Sequence, residues 1–283
     1  NIGVNRNEIS DLGLLPADFG CLGERVGYYG NSLGDHFGVG HIFLAGEAPG
    51  LFYGYVTQGI VQKEDITENG IKYIKQDGSV GYYQTVNKTT PVAGDVQYVD
   101  RNGDGVVDDN DRDIIGNPNP DFTYGFQTKV SWKSLSLSAS FNGVQGRDIL
   151  NVGNRYNNTP GTKSNNVTRK AFQNMWTDEN PSNLYPKSTF VVQNMVMDRY
   201  VEDGSYLRCS DITLSYILPA KWTNKIGIKN TSVYASVKNA FVITDYSGYD
   251  PEVNSFAFDG LRPGVDMNSY PTPRSFVFGL NLT

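Results

Sequence analysis

The sequence has few of the residues on which soluble enzymes and disulfide-rich secreted domains depend. Only 19% of its 283 residues are charged, whereas about 25% is usual in soluble chains. Cys21 and Cys209 cannot form a disulfide framework and lack the CxxC spacing of a metal or redox site, so we expect both to be unpaired structural residues. His36 and His41 lie in a glycine-rich stretch without an acidic i,i+4 partner, and we expect them to have an ordinary loop role.

Long apolar runs and basic regions are missing as well. No stretch approaches the roughly 18 apolar residues of a membrane-spanning helix. The net charge of −6 gives no electrostatic reason to expect nucleic acid as a partner. The HExxH and P-loop motifs are absent, and no pair of carboxylates is fixed at a catalytic separation. The sequence therefore does not predict an enzyme.

Period-two alternation is the main structural signal, and it predicts an all-β fold. Between 121 and 132, one face carries Phe126, Val130 and Trp132, and the other face is polar. A tight connection at Lys133-Ser134 follows, and the alternation then continues with leucine on one face and serine on the other. The segments predicted to form strands are 121–143, 205–218, 231–243 and 274–283.

The same alternation occurs in soluble β-sandwiches, whose polar face lies in water. Two features favour a transmembrane barrel here. The strands run for about ten residues, which is the length that a tilted strand needs to cross a bilayer. Aromatic residues lie near the strand ends, where interfacial girdles occur, with Phe122 and Tyr124 at one end and Trp132 at the other.

The lengths of the connections predict the topology. Bacterial barrels have short periplasmic turns and long extracellular loops, so Lys133-Ser134 is expected to be a periplasmic turn. The segments then predicted to be extracellular loops are 10–120, 144–204 and 244–273, with a short helix expected within 169–176. Residues 1–9 become the remnant of an outward strand. Because a free sheet edge in lipid leaves backbone groups unpaired, we expect other strands of a longer protein to complete the barrel.

One segment matches the twelve-residue calcium loop D-x-[DN]-x-[DN]-G-x5-[DE]. The predicted ligands are Asp100, Asn102, Asp104, Val106 through its backbone carbonyl, Asp108 and Asp111. Gly105 allows the sharp turn of such loops. An aspartate replaces the usual bidentate glutamate at the last position. We therefore predict a structural Ca²⁺ site in an external loop, and the alternative is an Asp/Asn/Gly-rich turn without a metal.

Several blocks of the sequence resemble the C-terminal half of SusC/RagA-type TonB-linked outer-membrane proteins of Bacteroidota, and they occur in the order of that family. They are GEAPGLFYGY at 46–55, the calcium-type segment with IGNPNP at 115–120, WTDENP at 176–181, VEDGSYLR at 201–208, KNAF at 238–241, YSGYDPE at 246–252 and YPTPRS at 270–275. There are two departures. Cys209 stands where an apolar residue is usual, and Thr283 stands where family members usually end in an aromatic residue.

The resemblance implies the C-terminal strands of a large, plugged, antiparallel transmembrane β-barrel of about 22 strands, in the outer membrane of a Gram-negative cell. It also implies TonB-dependent import of an oligosaccharide or peptide together with a SusD-like surface lipoprotein. TonB is expected to act through an N-terminal region outside this chain. Lipid is expected around the barrel, and the transporter–lipoprotein pair is expected to be capable of forming a dimer.

A second hypothesis from the residues is a secreted, calcium-stabilised β-domain that binds carbohydrate. It explains the alternation and the metal motif. It does not explain why the connections alternate between short and long, or why the family-like blocks follow one another in order.

Overall fold

The structure, a computed structural model, consists mainly of β-strands, as the alternation predicted. It describes residues 1–13, 21–22, 25–34, 37–159, 166–188, 195–223 and 231–282. The strands are β1 Ile2–Gly3, β2 Cys21–Leu22, β3 Arg25–Tyr29, β4 His41–Leu44, β5 Leu51–Tyr55, β6 Thr57–Ile60, β7 Ile66–Thr67, β8 Gly70–Ile74, β9 Val80–Tyr83, β10 Thr85–Val86, β11 Val96–Tyr98, β12 Val106–Val107, β13 Arg112–Gly116, β14 Phe122–Trp132, β15 Leu135–Gln145, β16 Asp148–Asn151, β17 Val201–Asp203, β18 Tyr206–Ile217, β19 Thr231–Thr244, β20 Val265–Asp266 and β21 Ser275–Leu282. The helices are α1 Gly153–Asn158, α2 Arg169–Asn174 and α3 Ala220–Thr223.

A six-stranded antiparallel sheet, here called the main sheet, has the order β1-β14-β15-β18-β19-β21. Its five long strands occupy the segments predicted as strands, and the short strand β1 pairs with β14. Lys133 and Ser134 join β14 to β15, with Trp132 directly opposite Leu135. Lys133 has a φ of 52°, the left-handed conformation that a tight two-residue hairpin turn requires.

The main sheet has one apolar face. The register places one row of side chains across five strands: Val130, Leu137, Leu214, Ala235 and Phe278. The large side chains of this face point away from the protein, and Trp132 is 68% and Phe278 80% exposed. A sheet in water covers such a face with a second layer. An apolar face exposed to this extent is instead typical of a surface that lies against lipid.

The opposite face of the main sheet is polar. On this face the Asp211 carboxylate accepts two hydrogen bonds. The Ser236 hydroxyl donates one of 2.8 Å to Oδ2, and the Thr213 hydroxyl donates one of 2.8 Å to Oδ1. The Lys238 ammonium lies 2.6 Å from Oδ2. These groups come from two neighbouring strands, β18 and β19, so the network stabilises their register on this side of the sheet.

A bulge interrupts the main sheet near one of its ends. The register shifts between Cys209 and Asp211 in the pairing of β18 with β19. Asn239 has a φ of 51°, and its side-chain amide donates a 3.0 Å hydrogen bond to the carbonyl of Pro273. Bulges bend a strand and increase its twist. This one lies where the sheet approaches the long connections.

All of the long connections leave the main sheet at the end opposite the Lys133-Ser134 turn, as the register shows. Together their described residues, from 25–121, 146–205 and 245–274, form what we call the loop domain. That this end faces the exterior of the cell stays a prediction. Within the residues described, no helix has both the length and the apolar character needed to cross a membrane.

The loop domain has a core of its own, which joins all three connections. Phe52, Tyr98, Leu150, Met197 and Val265 are nearly inaccessible and belong to one cluster. Gly54 in β5 shows how closely the segments approach each other, because a Cβ at this position would lie 2.4 Å from the carbonyl oxygen of Val196. The three predicted loops are therefore parts of one folded unit.

The strands of the loop domain are short, and several are buried on both faces. Its largest sheet has the order β13-β5-β4-β3-β2, and every residue of β4 and β5 is buried. A strand that is buried on both faces shows no alternation of polar and apolar residues, which is why the sequence predicted only a loop over 10–120. The helix expected within 169–176 is α2, and Thr168 caps it by accepting a 3.1 Å hydrogen bond from the Ala171 N–H.

Candidate functional site

The predicted calcium segment forms a tight loop in the loop domain that is closed by its first and last residues. Asp100 and Asp111 are both buried. The Asp100 carboxylate accepts hydrogen bonds from the N–H groups of Gly103 (2.6 Å) and Gly105 (2.9 Å). Asp111 accepts from Arg101 (2.7 Å) and from Asp108 (2.8 Å). The backbone is therefore wound around the two carboxylates.

The other predicted ligands lie on the exposed side of this loop. Asn102 accepts a 2.9 Å hydrogen bond from the Asp104 N–H, Asp104 accepts one of 2.8 Å from the Val106 N–H, and Asp108 accepts one of 2.9 Å from the Asn110 N–H. Val106 begins the short strand β12. In the described part of the chain, no three His, Cys, Asp or Glu side chains are grouped as a metal site would group them.

Carboxylate and amide oxygens are suitable ligands for a hard cation. In this structure the carboxylates of Asp100 and Asp111 accept hydrogen bonds from backbone N–H groups of the same loop. Burial raises the pKa of Asp111, and hydrogen bonds from Asp108, Arg101 and Asn102 act in the opposite direction. The guanidinium of Arg101 pairs with Asp113 and does not neutralise either buried carboxylate. A bound Ca²⁺ would supply that positive charge, and the residues to hold it would be the six that the motif predicts.

A buried ion pair joins the main sheet to the loop domain. The guanidinium of Arg208, in β18, lies 2.5 Å from Asp250, and both side chains are almost fully buried. Burial by itself would raise the pKa of Asp250, but hydrogen bonds from Glu252 and Thr272 and the charge of Arg208 hold it below its ordinary value. Glu252 also accepts a 2.6 Å hydrogen bond from the Tyr206 hydroxyl. Both acids belong to the YSGYDPE block, which the sequence resemblance had singled out without a role.

A cleft of about 480 Å³ opens in the loop domain next to the calcium-type segment, and we call it the Arg112 cleft. The residues that line it are Tyr29, Phe37, Gly38, Val39, Tyr55, Asn87, Asp109, Arg112, Met195 and Val196. The volume is within the range of roughly 300–1,000 Å³ that is usual for small-molecule sites. The sequence did not predict any of these residues as ligand contacts, because they come together only in the folded loop domain.

The polar groups of the Arg112 cleft are held in fixed positions. The Tyr55 hydroxyl donates a 3.0 Å hydrogen bond to the Asp109 carboxylate. The Arg112 guanidinium lies 4.3 Å from the centre of the Tyr53 ring and donates hydrogen bonds to the carbonyls of Val39 and Tyr53. The Tyr29 ring stacks on Tyr53 with centroids 5.7 Å apart. These contacts restrict the rotamers of the groups that line the cleft.

A second cleft, of about 470 Å³, lies beside α1 and α2. Glu202 lines it and accepts hydrogen bonds from the amide of Asn151 (2.9 Å) and from the hydroxyl of Ser247 (2.9 Å). Lys170 and Arg199 also line this cleft. Because Glu202 is already engaged by neighbouring side chains, its role here is to connect β17 to the segment that follows β19.

The histidines and cysteines are accounted for as far as the structure describes them. His41 lies in the buried strand β4, not in a loop as predicted, because the strands around it cover it on both faces. Its Nε2 is 2.9 Å from the Pro263 carbonyl, and burial lowers its pKa to about 4. Cys209 is a free, buried thiol. His36 and the side chain of Cys21 lie outside the described residues.

Comparison with known proteins gives relatives of one kind, although no protein-family model matches the sequence. A TonB-dependent receptor of Formosa agariphila is 33% identical over 246 residues, which are 85% of this chain and 23% of the receptor. The TonB-dependent receptor SusC of Bacteroides thetaiotaomicron is 32% identical over 236 residues, which are 78% of this chain and 22% of SusC. The chain thus spans about a quarter of the length of these relatives.

Solved structures show the same fold. The RagAB peptide importer in its open-open state matches with a TM-score of 0.61 and 23% identity over 99% of this chain and 26% of that chain. Its closed-closed state matches with a TM-score of 0.58 and 24% identity over 86% and 24%. Both agree with the all-β fold of the main sheet, while the number of strands in the complete barrel stays a prediction.

The relatives also decide between the two hypotheses that the sequence left open. They are TonB-dependent receptors, which are not enzymes. Receptors of this type are outer-membrane β-barrel proteins of Gram-negative bacteria, which confirms the predicted location and is at variance with a secreted soluble domain. The chain belongs to the SusC/RagA-type TonB-dependent receptors, and its match is consistent with the C-terminal part of such a receptor.

Proposed function

We propose that the receptor to which this chain belongs imports a nutrient, an oligosaccharide or a peptide, across the outer membrane with energy supplied through TonB. A SusD-like surface lipoprotein is the proposed partner that holds substrate against the loop domain. The observation that carries the proposal is the two-faced main sheet, whose exposed apolar face suits lipid and whose long connections all fold together at one end. No bond of the substrate needs to break in such a process.

Each half of this arrangement supports one part of the proposal. The polar face of the main sheet, with Asp211 and Lys238 paired on it, suits the interior of a barrel, which in transporters of this size is polar. The loop domain, which lies at one end of the main sheet, contains clefts of about 480 and 470 Å³ that could receive a substrate. A partner lipoprotein is suggested by the likeness to RagAB and SusC.

The test is uptake by cells that contain the full-length receptor and its neighbouring lipoprotein. We expect accumulation of a labelled oligosaccharide or peptide that stops when the receptor gene, the lipoprotein gene or tonB is deleted. Deletion of tonB distinguishes transport from surface binding, because binding alone does not need energy. Uptake that continues at the same rate without TonB would contradict the proposal.

We also propose that residues 100–111 hold a structural Ca²⁺ ion. What supports this is the donor set, with the oxygen-bearing residues Asp100, Asn102, Asp104 and Asp108 spaced as in known calcium loops and with two buried carboxylates that lack a cationic neighbour in the ion pairs described. The expected affinity is that of extracellular modules, roughly 10⁻⁴–10⁻³ M. The ion would act as a structural element and not as a catalyst.

The calcium proposal is tested on the purified receptor–lipoprotein complex. Replacing Asp100 and Asp104 by alanine is expected to abolish bound calcium, measured by elemental analysis, and to weaken lipoprotein binding while the barrel still assembles. Asp178→Ala, an exposed acid elsewhere in the loop domain, is the control and should leave the calcium content unchanged. An unchanged calcium content in the double variant would remove the proposal.

A further inference from the structure

The Arg112 cleft offers a ligand an aromatic wall and a few hydrogen-bonding side chains. Two of its lining residues pack on the buried ring of Tyr53, Tyr29 with ring centroids 5.7 Å apart and the Arg112 guanidinium 4.3 Å from the ring centre. Tyr29 is half-buried and lines the cleft. A flat, rigid ring that is partly accessible suits the apolar face of a sugar ring, and it costs little conformational entropy on binding.

The charges of the cleft balance each other. One acid, Asp109, and one base, Arg112, line it, so a ligand with net charge gains nothing from the cleft as a whole. Asp109 is exposed and uses one oxygen for the Tyr55 hydroxyl, which leaves its other oxygen to accept from a ligand hydroxyl. The exposed amide of Asn87 both donates and accepts. A carboxylate and an amide that line the same cleft suit the hydroxyl groups of a sugar, which both donate and accept hydrogen bonds.

The backbone of the cleft is unsuited to a peptide. A protein that binds an extended peptide as an added strand does so through main-chain hydrogen bonds at an open strand edge. Here the carbonyls of Val39 and Tyr53 already accept from the Arg112 guanidinium. Two residues further along β5, the Tyr55 N–H is also occupied, because it donates a 2.8 Å hydrogen bond to the Val196 carbonyl. The groups that remain for a ligand are therefore mostly side chains.

We infer that the Arg112 cleft is a binding site for a neutral oligosaccharide, in which the Tyr29 ring packs against one sugar and Asp109 and Asn87 bind its hydroxyls. This inference rests on the proposed import function and specifies the substrate class. The volume of about 480 Å³ fits a short part of a chain and not a large polymer. Buried Phe37, Met195 and Val196 supply the apolar surface behind it.

The experiment measures binding of a panel of neutral oligosaccharides (malto-, cello-, xylo- and manno-oligosaccharides) and of oligoalanine peptides to the full receptor–lipoprotein complex by calorimetry. Tyr29→Ala and Asp109→Asn are each expected to weaken oligosaccharide binding roughly tenfold. Tyr28→Ala is the matched control, because alternation along β3 directs this ring to the opposite face, where it lies 6.5 Å from Phe43, and it should bind like the wild type.

Uptake of the best-binding oligosaccharide by cells with and without tonB separates this inference from the proposed function. TonB-dependent uptake with unchanged binding in Tyr29→Ala and Asp109→Asn would overturn the cleft assignment and leave the import function intact. Binding of the peptides alone would overturn the substrate class. Tight binding with no TonB-dependent uptake of any compound would contradict the import function, while loss of that binding in Tyr29→Ala would still support the cleft.

Discussion

The main sheet and the loop domain achieve stability in opposite ways. The main sheet buries few of its side chains within the chain, and its apolar residues, such as Phe276 and Phe278, are exposed because lipid is their solvent. The loop domain instead buries aromatic residues such as Phe52 and Tyr98 in a core drawn from three distant segments. The main sheet therefore needs only a local alternation of polar and apolar residues, whereas the loop domain needs packing between segments that are distant in sequence.

The largest effect is expected where the two regions join. Asp250→Ala removes the buried carboxylate that lies 2.5 Å from the Arg208 guanidinium and leaves the partly exposed Glu252, 3.2 Å away, as its other acidic partner. Removing one partner of a buried pair typically costs about 3–5 kcal/mol. Because Glu252 remains, we expect a cost near the lower end of that range, and residues 245–274 should open more readily. Hydrogen–deuterium exchange of the full receptor measures this opening as faster exchange in peptides of that segment.

An exposed ion pair of the loop domain is the control for this variant. Lys63 and Asp178 lie 2.8 Å apart, with side chains that are 65% and 68% exposed, and such pairs contribute about 0–1 kcal/mol. Asp178→Ala should therefore leave exchange nearly unchanged. If both variants behaved alike, Arg208 and Asp250 would not be what fixes the loop domain to the main sheet.

The same contrast explains what could be predicted from the sequence. The long strands were predicted within one or two residues, for example 205–218 against Tyr206–Ile217, because alternation is a local property. The calcium-type segment was also visible, since its spacing is local. The Arg112 cleft and the Arg208–Asp250 pair were not predicted, because each joins residues that are more than 40 positions apart.

The lipid-facing assignment of the main sheet predicts different tolerance at two neighbouring residues. Leu137 lies on the apolar face between Val130 and Leu214, and Ser138 lies on the polar face opposite Thr213. Leu137→Arg is expected to cost about 2–4 kcal/mol near the middle of the membrane, and Ser138→Arg should be mild. Unfolding in lipid vesicles, followed by heat-modifiable gel mobility, compares the two. Equal tolerance would contradict the two-faced sheet.

Acid is expected to weaken the loop domain through His41. Burial lowers its pKa to about 4, whereas an unfolded chain has a pKa near 6.5. The folded state therefore binds the proton less well, so the stability that neutral His41 contributes is complete above pH 6.5 and falls as the pH approaches 4. The loss is up to about 3 kcal/mol over that window.

The control for His41 is His41→Gln, which does not titrate and retains an N–H donor for the Pro263 carbonyl. We expect the unfolding free energy of the wild-type loop domain to decrease more steeply than that of the variant between pH 6.5 and 4. Hydrogen exchange in peptides of β4 and β5 reports on it. Parallel pH profiles for both proteins would show that His41 does not govern the acid response.

The smallest effect concerns the bulge at the boundary of the two regions. Asn239 has a φ of 51°, a conformation that costs most non-glycine residues about 1–2 kcal/mol but is tolerated by asparagine. Asn239→Ala is expected to lose about 1 kcal/mol, and Asn239→Gly should lose less, although both remove the hydrogen bond to Pro273. The difference in unfolding free energy between the two variants thus measures the cost of the left-handed backbone conformation separately from the loss of the side-chain hydrogen bond. If glycine proved as destabilising as alanine, the hydrogen bond and not the left-handed bulge would be what connects the main sheet to the segment before β21.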